Sequence, residues 1–167
     1  MRKKSILIDQ SGKVEHNNTD TAIAYSTAAS SDFPGRCVRI KNSDKISVKK
    51  EAKRVIGSKK KINLKMFSAG VYMLTKPDLT KFSEIIIDVE YEGNGGLIKN
   101  HLNNFYTDYS DYSVSSVPDI KFGRVHDFGS GDPECHELAN KVRAGKLQAH
   151  FQPSLSYLKN LMLPNRS

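Results

Sequence analysis

Two aspartates carry the chemistry that this chain is best equipped to do. Each closes a short apolar run: Ser5-Ile6-Leu7-Ile8-Asp9 and Glu84-Ile85-Ile86-Ile87-Asp88. Three or four apolar residues with β-branched enrichment, bounded by polar residues and glycine, have the length and composition of buried central strands. An acid at the end of such a strand sits where the sheet core meets solvent. A carboxylate there is costly unless it is paired, hydrogen-bonded or bound to a metal. Two of them on neighbouring strands repel one another, and a divalent cation between them relieves the repulsion. Asp9 and Asp88 are therefore candidate ligands for Mg²⁺ or Mn²⁺, in a site that orients a water and stabilises charge on a scissile phosphate. The plainer alternative is that each merely ends a strand and bonds the following turn.

Three more residues complete the candidate set. Glu90 lies two positions beyond Asp88 and in a continuing strand shares its face, as a third ligand or as a solvated acid at a sheet edge. Asp132 precedes Pro133 and suits the N-cap of a helix as well as a catalytic role. His136, one turn along, has the chemistry of a proton relay, and Glu137 on an adjacent face is a comparable acid. The catalytic set is thus Asp9, Asp88, Glu90, Asp132 and His136. Gly93-Asn94-Gly95-Gly96 lacks the Gly-Lys-Ser/Thr ending and the full spacing of a phosphate loop, so it reads as a strand-to-helix connection.

A basic segment supplies a second signal. Residues 41–65 contain ten Lys or Arg, namely Lys41, Lys45, Lys49, Lys50, Lys53, Arg54, Lys59, Lys60, Lys61 and Lys65, against only Asp44 and Glu51. That local excess matches the net charge of +8 of the whole chain. A charge run is commonly a solvated face. Concentrated in one helix and its trailing loop, it also fits a surface that tracks a nucleic-acid backbone, with Lys49, Lys50, Lys53, Lys59, Lys60 and Lys61 on the phosphates. Lysines give affinity without sequence readout, so DNA and RNA stay open.

The elements that must position these groups follow from the hydrophobic pattern. Strands are expected at 4–9, turning at Ser11-Gly12, at Thr21–Tyr25 and at Arg36–Ile40, together an antiparallel meander. Residues 44–56 read as a helix capped by Ser43 or Asp44, with Ile46, Ala52, Val55 and Ile56 as its apolar face and Gly57 as its stop. A fourth strand is expected near Met66–Leu74, a short helix near Lys76–Phe82, and a fifth strand at 84–89. Leu97, Ile98, His101, Leu102 and Phe105 recur at helical spacing over 97–106. A polar loop (107–116), a sixth strand (Asp119–Val125) and a helix from Pro133 to Ala144 follow, with Gly145 past the end. Residues 151–167 carry Leu155, Leu158, Leu161 and Met162 at helical spacing, which fits a short docking helix or a tail for a protein partner or self-association. The resulting division is one domain over 1–150 and a tail over 151–167.

Strands first and alternating β and α units after them give an α/β domain, a mixed sheet flanked by helices. At 167 residues and 38% hydrophobic composition the chain can bury a full core. Cys37 and Cys135 have no CxxC spacing, so they are expected as free thiols of a reducing compartment. No segment approaches the roughly 18–20 apolar residues of a membrane span, and the expected location is the cytoplasm.

This pattern resembles the ribonuclease H-like superfamily. Ile8-Asp9-Gln10-Ser11-Gly12 resembles the Asp-x-Ser-Gly opening strand of an uncharacterised branch of it. Ile86-Ile87-Asp88-Val89-Glu90-Tyr91-Glu92-Gly93 resembles that branch's second acidic strand. Lys121-Phe122-Gly123-Arg124-Val125, followed by Cys135-His136-Glu137-Leu138-Ala139-Asn140, resembles its last strand and helix. The resemblance touches most of residues 5–145 and implies an antiparallel meander followed by βα units, divalent metal, and cleavage of nucleic-acid phosphodiesters. One departure stands out: Asn140 occupies the place where such families often put an Asp after Leu-Ala. Either the final acid has moved to Asp132, Glu134 or Glu137, or the site is weakened. The readings that follow are a metal-dependent nuclease, an inactive nucleic-acid-binding module of the same fold, or a protein-interaction domain that uses its C-terminal tail.

Overall fold

The structure, a computed structural model, describes residues 3–27, 34–88, 90, 93–128 and 134–164. Three antiparallel strands open it: β1 (Lys4–Ser11), β2 (Thr21–Thr27) and β3 (Arg36–Ile40). Two helices follow, α1 (Asn42–Ile56) and α2 (Lys59–Thr75). Then come β4 (Phe82–Asp88), α3 (Gly95–Asp108), β5 (Asp119–Gly123), α4 (Glu134–Arg143) and α5 (Leu155–Met162). The sheet has the order β3-β2-β1-β4-β5. β4 lies parallel to β1, with Ile8 opposite Ile87, and β5 lies parallel to β4.

Strand alternation sorts the apolar residues into two cores. Ile6, Ile8, Ile85 and Ile87 point to one face, where α1, α2, α3 and α5 contribute side chains. Leu7 and Ile86 point to the other, which α4 covers with Cys135, Ala139 and Val142. Burial on both faces explains why these strands read as unbroken apolar runs. Both cysteines are free and buried, and burial pushes the Cys37 thiol up to about 12 and that of Cys135 to about 11. No helix among the described residues is long and apolar enough to cross a membrane.

The expected strand at Met66–Leu74 is instead the second half of α2. Every residue from Ile62 to Thr75 except Lys65 is buried, because this helix packs on the sheet and also against α1, α3 and α5. A helix enclosed on all sides loses its polar stripe, and an apolar run without period looks the same in a strand and in a buried helix. Gly70 marks the closest approach to the sheet, since a Cβ there would lie 2.3 Å from Ile23 Cδ1.

Helix α1 begins earlier than expected, with Lys41 at the N-cap and no side-chain cap of its own. The cap is delivered from elsewhere: Asp20 Oδ1 accepts the backbone N–H of Asn42 at 2.8 Å while its other oxygen pairs with Arg39. Its buried face is Lys45, Val48 and Ala52, whereas Ile46 and Val55 are exposed. Lys45 turns the stripe because its ammonium is itself enclosed, donating to the carbonyls of His16 and Thr19 and to Thr21 Oγ1 at 2.8, 2.8 and 2.9 Å. Residues 76–81 form a 3₁₀ turn, and β5 ends at Gly123.

The tail does not stand apart. Leu158, Leu161 and Met162 are buried in the main core and α5 packs on α1 and α2. The apolar positions that recommended residues 151–167 as a partner-binding segment are therefore used within the chain. Just before α5, Phe151 makes a parallel bridge to Val38 at the outer edge of β3.

Candidate metal centre

The parallel register of β1 and β4 ends at Ile8 opposite Ile87, which leaves Asp9 and Asp88 as the next residue on each strand. By alternation both share the face of Leu7 and Ile86, the face covered by α4. Asp9 is buried, with 6% of its surface exposed; Asp88 is half-buried and Glu90 exposed. One carboxylate oxygen from each of Asp9, Asp88 and Glu90 lies within 4.8 Å of the other two. Glu90 takes its place differently from expectation: β4 stops at Asp88, and Glu90 reaches back from beyond the strand's end.

Each acid is oriented by hydrogen bonds, and Gln10 serves two of the three. Asp9 Oδ1 accepts the backbone N–H of Gln10 at 2.7 Å, and its Oδ2 lies 2.7 Å from His136 Nδ1. A carboxylate only accepts, so Nδ1 carries the proton in that bond. Asp88 Oδ1 accepts the N–H of Val125 at 3.1 Å. Glu90 Oε2 accepts from Gln10 Nε2 at 2.8 Å, and its Oε1 is 3.6 Å from the Lys13 ammonium. Three carboxylates with hard oxygen donors, one of them buried, form the donor set that Mg²⁺ or Mn²⁺ prefers. Oxygens on one such ion at 2.0–2.1 Å stand roughly 3–4 Å apart, so the trio must draw in from a spread of up to 4.8 Å to share one ion.

Helix α4 aligns a second row against β1. His136, Asn140 and Arg143 recur at helical spacing; His136 meets Asp9, and the next two meet Ser11. The Ser11 hydroxyl donates to Asn140 Oδ1 at 2.5 Å and accepts from Arg143 Nε at 2.7 Å. Gly12 permits this contact. Its φ is +68°, and a Cβ there would lie 2.7 Å from Arg143 Cδ and 2.2 Å from the Asp20 carbonyl. Asn140, the departure noted in the sequence, thus spends its carbonyl oxygen on Ser11. Sequence reasoning missed Gln10, Ser11 and Arg143; the i, i+4, i+7 spacing from His136 was the available signal for Arg143.

Of the remaining sequence candidates, those among the described residues are not drawn into the cluster. Glu137 is exposed and pairs with Lys141 at 2.5 Å along the helix, Glu134 is exposed, and Asp132 lies outside the described residues. The lysines of α1 and α2 stand on the opposite side of the sheet from Asp9 and Asp88. Three of the ten basic residues are structural: Lys45 is fully buried, Lys65 donates to the Met162 carbonyl, and Lys49 donates to the Val14 carbonyl and to Asn17 Oδ1. Lys49 is therefore a clamp on the β1–β2 connection rather than a free phosphate contact. Lys50, Lys53, Lys59, Lys60 and Lys61 are exposed.

Compared with known proteins, the chain matches no protein-family model, no curated protein and no solved structure.

Proposed function

We propose that this chain is a ribonuclease H-like, divalent-metal-dependent nuclease acting on nucleic-acid phosphodiesters. The observation that carries the reading is the convergence of Asp9, Asp88 and Glu90 to within 4.8 Å. The antiparallel meander followed by parallel strands, with the first acid on β1 and the second at the end of β4, supports the family reading. Asp9 and Asp88 would hold Mg²⁺ or Mn²⁺, with Glu90 as the third, more open ligand. When bound there, the ion supplies Lewis-acid stabilisation of charge on the phosphate and a more acidic attacking water. His136 holds Asp9 in one orientation through its Nδ1–H, and Lys13 offsets charge at Glu90.

The second reading is a catalytically inactive nucleic-acid-binding module, and Asn140 is the observation that favours it. An amide there contributes no charge, and its oxygen already accepts from Ser11. Thermal melting with and without Mg²⁺ or Mn²⁺, on wild type and on Asp9→Asn with Asp88→Asn, separates the two. A native-state metal site stabilises by about 2.7 kcal/mol at a metal concentration 100 times Kd. Stabilisation of wild type alone, with metal-dependent cleavage of a labelled DNA, RNA or hybrid strand, is the expected result. No metal effect, together with a double mutant at least as stable as wild type, overturns the nuclease reading.

A further inference from the structure

At the opposite end of the sheet from the acid cluster, where β3 begins and α2 ends, lies a cleft of about 370 Å³. That is within the roughly 300–1,000 Å³ of small-molecule sites. Its apolar walls are Met73, Leu74, Pro77 and Phe151, and its polar wall is Arg36, Lys76, His150 and Tyr157. Among the described residues, no carboxylate lines it.

The described groups beneath the cleft are mostly basic. Asp78, buried behind it, accepts from Arg36 Nη1 at 2.9 Å, from Lys81 Nζ at 2.6 Å and from Tyr25 Oη at 3.1 Å. Asp78 thus meets both Arg36 and Lys81. Lys76 adds a third cation, its ammonium 5.6 Å from the centroid of the Tyr72 ring and 3.4 Å from the Tyr109 carbonyl. His150 contributes a donor of fixed identity. Its Nδ1 accepts the backbone N–H of Cys37 at 3.1 Å, which leaves the ring proton on Nε2. Burial, and then the neighbouring Arg36 charge, hold this imidazole below its usual range, so it serves as a neutral donor. The Phe151 and Tyr157 rings meet edge to face at 6.1 Å and 89°, giving a rigid aromatic corner. The Cys37 thiol, pushed up to about 12 by burial, is wall and not nucleophile.

We propose that this cleft binds a small organic anion with a flat apolar body, its carboxylate-like head against Arg36, Lys76 and the His150 Nε2–H and its body against Phe151, Tyr157 and Leu74. The site is independent of the acid cluster, and either can be present without the other.

The test is a matched probe pair, 4-phenylbutyrate and 4-phenylbutanol, titrated into the full chain and followed by NMR. The acid is expected to shift the rings of Phe151 and Tyr157 and the Cys37 amide in a saturable way. The alcohol, which lacks only the charge, is expected to bind about tenfold more weakly, the loss of one charge-assisted hydrogen bond. Lys76→Gln is expected to weaken the acid by about threefold or more and leave the alcohol unchanged. Equal affinities for acid and alcohol, shifts that map elsewhere, or no saturable shift at millimolar probe overturns the proposal. The acid–alcohol comparison on the wild-type chain decides the matter even if the variant does not fold.

Discussion

His136 Nδ1 and Asp9 Oδ2 stand 2.7 Å apart although 127 residues separate them in the chain. The contact ties α4 to the opening strand β1 at the place where the three acids converge. Asp9 is the most buried of the three, so the orientation of its two oxygens decides whether the trio acts together.

Replacing His136 by Ala therefore acts on the site more than on the fold. The ring is 41% exposed, so the stability cost is expected below about 1 kcal/mol by urea melts. Loss of an orienting partner of a metal-ligating group costs about 10- to 100-fold in metal affinity or activity. A comparable loss of affinity for Mn²⁺ by calorimetry is expected; wild-type affinity in His136→Ala removes the positioning role.

Asn140→Asp adds a charge without adding bulk, one helical turn beyond His136. The Ser11 hydroxyl still has an oxygen to bond, and Arg143 gains a carboxylate neighbour. Divalent-ion affinity rises with ligand charge, so binding about tenfold tighter than wild type is expected in the same calorimetric titration. An unchanged affinity means that position 140 lies beyond the reach of the ion.

The exposed lysines Lys50, Lys53, Lys59, Lys60 and Lys61 are separated from the acids by the sheet. If all five contact duplex phosphates, the slope of log K against log salt is about −4.5. The quintuple Gln variant is then expected to lose that slope in fluorescence anisotropy while keeping wild-type metal binding. A slope that survives the substitutions places the phosphate contacts elsewhere.

Lys45 gives a pH signature. Burial, with the adjacent Lys49 charge, lowers its pKa to about 8 from an ordinary 10.5. Below about 8 both folded and unfolded chains keep the proton. Between about 8 and 10.5 the unfolded chain binds more protons, so this residue makes stability rise with pH across that window. Lys45→Met is expected to lose that rise and to cost about 2 kcal/mol at neutral pH, because the carbonyls of His16 and Thr19 lose their donor. Urea melts of both chains at a series of pH values measure it.

Much of this was legible in the residues. The runs ending at Asp9 and Asp88 are strands, as their short length between bounding turns and their β-branched content indicate, and they are neighbours in the sheet. The limits of β3 follow from Gly35 and the polar residues beyond Ile40. What escaped was set by tertiary contact. Met66–Leu74 gave no period because α2 is enclosed on every side. The start of α1 depends on Asp20, a carboxylate 22 residues away from Asn42, which local capping rules do not see. Lysines 45, 49 and 65 looked like surface charge because composition does not distinguish a solvated ammonium from one closed under carbonyls. Ser11 and Arg143 were silent for the same reason: their role exists only where α4 lies along β1.

The bridge from Phe151 to Val38 bears on how copies of this chain can meet. An open strand edge is a template for pairing with another molecule. Here Arg39 donates its N–H to the Phe151 carbonyl, and the N–H groups of His150 and Phe151 both bond the Cys37 carbonyl, so the outer rim of β3 is already occupied by its own chain. The other rim, β5, presents the exposed Asp119 and Lys121, charges that discourage strand addition. Edge-to-edge pairing through the sheet is thereby disfavoured at both rims, which leaves the helical faces as the better route for copies of this chain to meet.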